Sequence, residues 1–310
     1  MKHNLKITII LIMMFLLTQL IGIFVISVYN LPENEIPFGM EPPEEVKQNS
    51  PGHLILIAFV IAIILFFLLT KINAEMLIRA WFFLITVIAL GLTLNAVFVK
   101  INIPSAVAIS LIIAIPLAYM KIFRRDLLIH NITELLIYPG IAAVFVPILN
   151  ITWLIIILLL ISFYDMWAVW HTEFMQKMAK YQMTSVKVFA GFFIPYADKK
   201  TKLKIRKIKE KYQGESQKFL ESKLRKEKIK IHLAILGGGD VIFPIIAAGI
   251  FYRFFGLLPA LVISIFSTIA LLLLFYIARK GKFYPAMPFI TIGIYLGMLI
   301  NWIFLRNGFF

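Results

Sequence analysis

The chain has no cysteine, so disulfide bridges and thiolate metal sites are excluded from the start. Charge is scarce too: only 15% of its 310 residues are Asp, Glu, Lys or Arg, whereas 61% are hydrophobic. A soluble domain cannot hide that much apolar surface, but a polytopic membrane protein does not need to. Acidic groups are the rarer charge, 16 against 31 basic, which leaves a net charge of +15. That excess suggests a nucleic-acid partner only until it is located. Seventeen of the 31 Lys and Arg, with six acidic residues, lie between His171 and Lys230. The basicity belongs to one membrane-proximal loop without a recognisable binding fold, so no nucleic-acid partner is expected.

Several catalytic motifs are also missing. No His-Glu-x-x-His is present for a zinc enzyme, and "HTEF" at 171–174 lacks the second histidine. None of the ten serines sits in a Gly-x-Ser-Gly context. His130 and Glu134 share a helical face four residues apart and supply at most two ligands; they read as an interfacial pair near the start of a span. No metal and no cofactor are expected. An internal repeat of the kind that marks many transporters is not visible.

What the chain does have is long apolar runs. A bilayer core needs about 20 apolar residues per helix. By that rule spans are expected near 5–29, 53–70, 79–99, 105–120, 127–147, 151–170, 231–252, 255–277 and 283–304. The first run is too long for a signal-peptide core and reads as a retained anchor. The fold class is therefore an all-α polytopic membrane protein with nine transmembrane helices. It divides into a bundle at 1–170, a basic loop at 171–230 and a second bundle at 231–310. With the N-terminus in the cytoplasm, 27 of the 31 basic residues fall on the cytoplasmic side. The opposite side keeps Lys47, Lys100, Arg253 and Arg306, and its first loop carries five Glu. The expectation is a multi-pass protein of the cell membrane with a cytoplasmic 171–230 loop and an external C-terminus.

Only three acidic residues fall inside these spans: Glu134, Asp165 and Asp240. An ionisable residue at membrane depth points to function, because burying it there is costly. Asp165 lies roughly 21 Å into the sixth span and Asp240 roughly 14 Å into the seventh, at 1.5 Å per residue. These spans run in opposite directions, so the two carboxylates reach similar depth. Two Asp in one site cannot both ionise, and a pair sharing one proton can serve as base and acid on a single water. Such a pair suits hydrolysis of a peptide bond. Gly237, Gly238 and Gly239 remove bulk beside Asp240, and Pro244 leaves the Asp240 carbonyl without its usual helical donor.

These residues form three motifs in order: Tyr164-Asp165 in "FYDMW", Gly237-Gly238-Gly239-Asp240 in "LGGGD", and Pro285-Ala286-Met287-Pro288 in "YPAMP". Together they resemble the presenilin and signal peptide peptidase family of intramembrane aspartyl proteases, its archaeal presenilin-like members in particular. The resemblance implies a nine-helix presenilin-like fold, catalysis by Asp165 and Asp240, and substrate positioning by Tyr164, the three glycines and 285–288. The implied activity is endoproteolysis in or near transmembrane segments of membrane proteins or remnant signal peptides. The implied partners are those substrates and the lipid bilayer; accessory subunits are not identified. The family's third motif is Pro-Ala-Leu, and Pro259-Ala260-Leu261 is a literal copy. That copy starts the eighth span on the external side, away from both aspartates. "YPAMP" starts the ninth on their own side and is taken as the functional match. Met for Leu conserves volume.

Two readings stay open on the residues alone. The stretches at 202–208 and 228–231 alternate as strands would and offer an edge to an unwound substrate, or else form a solvated basic surface near anionic lipids. Paired membrane carboxylates also relay protons, so a proton-coupled transporter or channel is the alternative to a protease.

Overall fold

The computed structural model describes residues 5–49, 52–71, 75–124, 126–171, 190–196, 201, 232–278 and 284–306. Most of the basic loop, including the two candidate strands at 202–208 and 228–231, lies outside the described residues. Membrane helices are numbered in chain order: α1 Leu5–Tyr29, α2 Gly52–Lys71, α3 Glu75–Lys100, α4 Ala106–Tyr119, α5 Leu127–Phe145, α6 Ile151–Trp170, α7 Gly238–Phe255, α8 Leu257–Ile277 and α9 Met287–Arg306. Eight of these are long and apolar enough to cross a membrane among the described residues, α4 only together with the turn that continues it to Arg124. The other, α2, is a 20-residue apolar helix where the second span was expected. Hydrocarbon provides no partner for backbone groups, so each span closes its own hydrogen bonds as a helix.

Local sequence fixes several helix ends. Asp126 caps α5 by accepting from the amides of Leu128 and Ile129 at 2.8 and 3.2 Å. Asn150 caps α6 through Trp153 at 2.9 Å. Between α7 and α8 stands one residue, Gly256, at φ +86°, where a side chain would be strained. The C-terminal end of α4 widens into a π-helical turn, Met120–Arg124.

The main core gathers around α1, whose Leu11, Phe15, Ile23 and Ile26 pack with residues of α5, α7 and α8. Buried Gln19 donates from Nε2 to the Val241 carbonyl at 3.2 Å, tying α1 to the start of α7. A second cluster joins α3, α4 and α5 through Val87, Leu90, Ala114, Ala118 and Ile137. Gly140 lies directly against the Ala89 backbone, a close helix approach that a side chain would block. Large apolar residues such as Ile112, Trp81 and Met13 point outward, as suits helices surrounded by lipid.

Two features depart from the all-α expectation. Residues Gly191–Tyr196 and His232–Gly237 form an antiparallel pair, β1 and β2, with Phe193 opposite Ile235 and Gly191 opposite Gly237. The seventh span therefore begins at Gly238 rather than at 231. The apolar run through 231–252 concealed the change, since short apolar stretches read alike as strand or helix. Burial along β2 does alternate, with Ala234 and Leu236 buried and Ile235 exposed.

A candidate active site between two helix N-termini

The strand-to-helix junction puts Asp240 in the first turn of α7. Gly237 is the N-cap, and Asp240 is the third helical residue. From that position its carboxylate turns back toward Gly237, with Oδ2 3.2 Å from where a Gly237 Cβ would stand. The expectation that Asp240 lies well inside its span is corrected accordingly: the residues before it belong to a strand. Asp165 lies five residues before the end of α6, which still brings the two carboxylates to the same end of antiparallel helices. They are close enough to interact directly through their charges.

Asp165 is 7% exposed, and its Oδ2 accepts the Met287 amide at 3.0 Å. Met287 is the first residue of α9. The Ala286 amide lies beside the same carboxylate. Asp165 is thus bound to the N-terminus of α9, and Asp240 lies in the first turn of α7, both places where free amides and the helix dipole favour negative charge. The Ser162 hydroxyl donates to the Leu158 carbonyl at 2.7 Å and is hydrogen-bonded to the Thr291 hydroxyl at 2.8 Å, joining α6 to α9 one turn away. This contact fixes the register that seats Asp165 on Met287.

The other expected site residues fall into distinct places. Tyr164 is partly exposed beside Asp165. Pro285 is buried, and Ala286 and Pro288 are half-buried around the Met287 amide. Pro259 lies elsewhere: its carbonyl accepts the Asn301 side chain at 2.9 Å. Asn301 is 14 residues beyond Met287 on α9, so this end is roughly 21 Å from Asp165. The three glycines also separate. A Cβ at Gly237 would stand 3.2 Å from Asp240 Oδ2, and one at Gly238 would stand 2.7 Å from the Tyr138 hydroxyl. One at Gly239 would meet nothing within 4 Å.

Helix α5 holds the strands in place. Asn131 accepts the Phe193 amide at 2.9 Å and donates to its carbonyl at 2.7 Å, as a neighbouring strand would. His130 Nε2 bonds the Gly191 carbonyl at 2.8 Å, and its ring lies against Phe193. The backbone groups of Gly191 and Phe193 therefore face α5, not β2. Their partners Gly237 and Ile235, with Leu233, must face away from β1 in the same way. The outer edge of β2 carries no strand among the described residues, and it runs straight into Asp240. Pro195 lies on the same outward register of β1, where its missing N–H costs no bond to β2.

Glu134, the third membrane acid, is 1% exposed and forms an ion pair with buried Lys121 of the π turn. His130 Nε2 lies 3.7 Å from the same oxygen. The expected interfacial pair is thus a buried triad. Lys121, expected in a cytoplasmic turn, folds inward because Glu134 needs a counter-charge. No cluster of three metal-ligating side chains occurs among the described residues. Sequence reasoning did not single out Lys121, Asn131 or Tyr138. For Tyr138 a signal existed: it follows Glu134 by one helical turn, on the same face.

One buried aspartate seated on the N-terminus of α9, with a second in the glycine-rich first turn of α7, defines the class: an intramembrane aspartyl protease. Comparison with known proteins gives the family. The model for "Signal-peptide peptidase, presenilin aspartyl protease" matches residues 11–307, so the chain belongs to that family. Two solved structures of a presenilin family intramembrane aspartate protease, in C222 and P2 space groups, are similar in fold. The first gives a TM-score of 0.59 at 19% identity, covering 94% of this chain and 97% of that one. The second gives 0.56 at 19% identity, covering 94% and 95%. No curated protein sequence matches.

Proposed function

We propose that this presenilin-family protease hydrolyses peptide bonds in or near transmembrane segments of membrane proteins or remnant signal peptides, with Asp165 and Asp240 as the catalytic pair. The observation that carries the proposal is the seating of Asp165 on the Met287 amide, beside Asp240 in the first turn of α7. One proton is shared by two carboxylates. The ionised member takes a proton from water, and the protonated member polarises the scissile carbonyl and later protonates the leaving nitrogen. The pair titrates as a unit, so base and acid are roles of the pair rather than of either residue.

A helical substrate hides its scissile amide in its own hydrogen bonds and must unwind first. The outer edge of β2, at Leu233, Ile235 and Gly237, would accept the unwound segment as an added strand and deliver it to Asp240. Gly239, open on its Cβ side, leaves room for that backbone. An apolar cavity lined by Leu56, Phe145, Leu149, Ile157, Ile161, Ile242, Phe243 and Ile246 adjoins the second turn of α7 and would take the part of the substrate that stays helical. The bias of basic residues supports a cytoplasmic N-terminus and basic loop and an external C-terminus, hence substrates with external N-termini.

The test is incubation of the purified chain in detergent with a labelled transmembrane peptide, reading products by mass spectrometry. Cleavage within the apolar segment, blocked by a transition-state aspartyl inhibitor, is expected. Intact peptide under all conditions, or cleavage indifferent to the inhibitor, refutes the proposal.

A further inference from the structure

Tyr138 of α5 has no task in the reaction described so far. It is 3% exposed, and its ring stands edge-on to Phe192 of β1 at 5.8 Å between centroids. Its hydroxyl faces the first residue of α7, 2.7 Å from where a Gly238 Cβ would stand. One turn earlier on α5, Glu134 gives one carboxylate oxygen to Lys121. The other oxygen, Oε2, faces the Tyr138 hydroxyl; both atoms are fully buried, and neither has any other hydrogen-bond partner among the described residues. A polar pair buried this deeply one helical turn apart needs a reason, because desolvating polar groups is costly even when they are paired. Ring packing does not supply one, since phenylalanine would fill the same space against Phe192 without burying an oxygen.

The hydroxyl lies within electrostatic reach of two carboxylates, Glu134 and Asp240. A buried polar line thus runs from Lys121 at the end of α4, through Glu134 and Tyr138 of α5, to the Gly238–Asp240 turn of α7. We propose that Tyr138 is a positioning residue for the hydrolysis: its hydroxyl, oriented by the Lys121–Glu134 pair, fixes the first turn of α7 and so sets Asp240 opposite Asp165. The proposal rests on the proteolytic reading of the aspartate pair. It also explains the glycine at 238, because a side chain there would displace the hydroxyl or the turn. Displacing a catalytic group by about 1 Å is enough to slow a reaction by roughly 100-fold without disturbing the fold.

The test uses the purified full-length chain and the labelled peptide, with Asp165→Ala as the inactive control. Tyr138→Phe keeps the ring and removes only the oxygen. It is expected to lower kcat by about 10-fold or more, leave KM within about twofold, and leave the unfolding temperature unchanged, the signature of lost transition-state alignment. Glu134→Gln keeps shape and removes charge; because it also leaves Lys121 buried without its counter-charge, its rate is compared per folded molecule, and it is expected to act through the same hydroxyl. The double variant should then be no slower than the slower single one. Wild-type kcat in Tyr138→Phe overturns the proposal, as does a double variant whose losses multiply. Absence of cleavage by the wild-type chain is the separate result that overturns the proteolytic reading itself.

Discussion

Gly239→Ala separates the needs of the fold from those of a substrate. The added methyl meets nothing within 4 Å, so there is no steric cost to the folded chain. Residue 239 is the second residue of α7, where alanine is the better helix former. Gly to Ala inside a helix gains at most about 1 kcal/mol. The stability expected for this variant is therefore equal to the wild type or slightly greater. Its neighbour behaves oppositely. A methyl at Gly238 would stand 2.7 Å from the Tyr138 hydroxyl and 2.9 Å from a ring carbon, both belonging to a buried, rigid side chain. Overpacking of that kind costs about 1–3 kcal/mol, more than the helix propensity returns. If a substrate backbone passes the open side of Gly239, the methyl obstructs it, and a misplacement of about 1 Å slows cleavage by roughly 100-fold. Thermal unfolding in detergent and initial cleavage rates, measured on the same preparations, give both quantities. Gly239→Ala should keep its unfolding temperature and lose activity, whereas Gly238→Ala should lose both. Wild-type cleavage by Gly239→Ala would refute the idea that substrate uses this space. A fall in its unfolding temperature would refute the geometry.

Three further outcomes are expected. Lys121→Met leaves Glu134 buried without its counter-charge and should destabilise the chain by about 3–5 kcal/mol, while the double variant Lys121→Met/Glu134→Leu regains most of that in denaturation measurements. Asn131→Ala removes the two bonds that clamp Phe193 and should cost about 1–3 kcal/mol; faster hydrogen exchange at β1 amides is the readout. Met287→Leu keeps the backbone amide that Asp165 accepts and nearly the same volume, so activity and stability within about 1.5 kcal/mol of wild type are expected in the peptide assay and in unfolding.

Much of this architecture was legible because a membrane turns hydropathy into topology. Span six was read as 151–170 and is Ile151–Trp170, since Asn150 caps it and polar residues follow it. The motif aspartates could be paired from the opposed directions of their spans alone. Depth was misread for Asp240 because hydropathy does not distinguish a buried strand from a helix: "HLAIL" extends an apolar run that changes conformation at Gly237. Strand β1 was hidden for a related reason. Its six residues, "GFFIPY", lie in a segment read as a basic loop, and the groups that hold it, His130 and Asn131, are about 60 residues away in sequence. Lys121 was counted as a cytoplasmic charge, and only the packing of the π turn against α5 reveals its partner. The "YPAMP" motif was preferred to the literal Pro-Ala-Leu copy on expected sidedness alone. The hydrogen bond that seats Asp165 on α9, by contrast, is a long-range contact that no local pattern encodes.

The central claim is that Asp165 and Asp240 together activate one water. Its most direct test is cleavage of a transmembrane peptide by the purified chain, compared with Asp165→Ala and Asp240→Ala at matched folding. Loss of cleavage in each single variant, with unfolding profiles preserved, is the predicted result. Full cleavage by either variant contradicts the account.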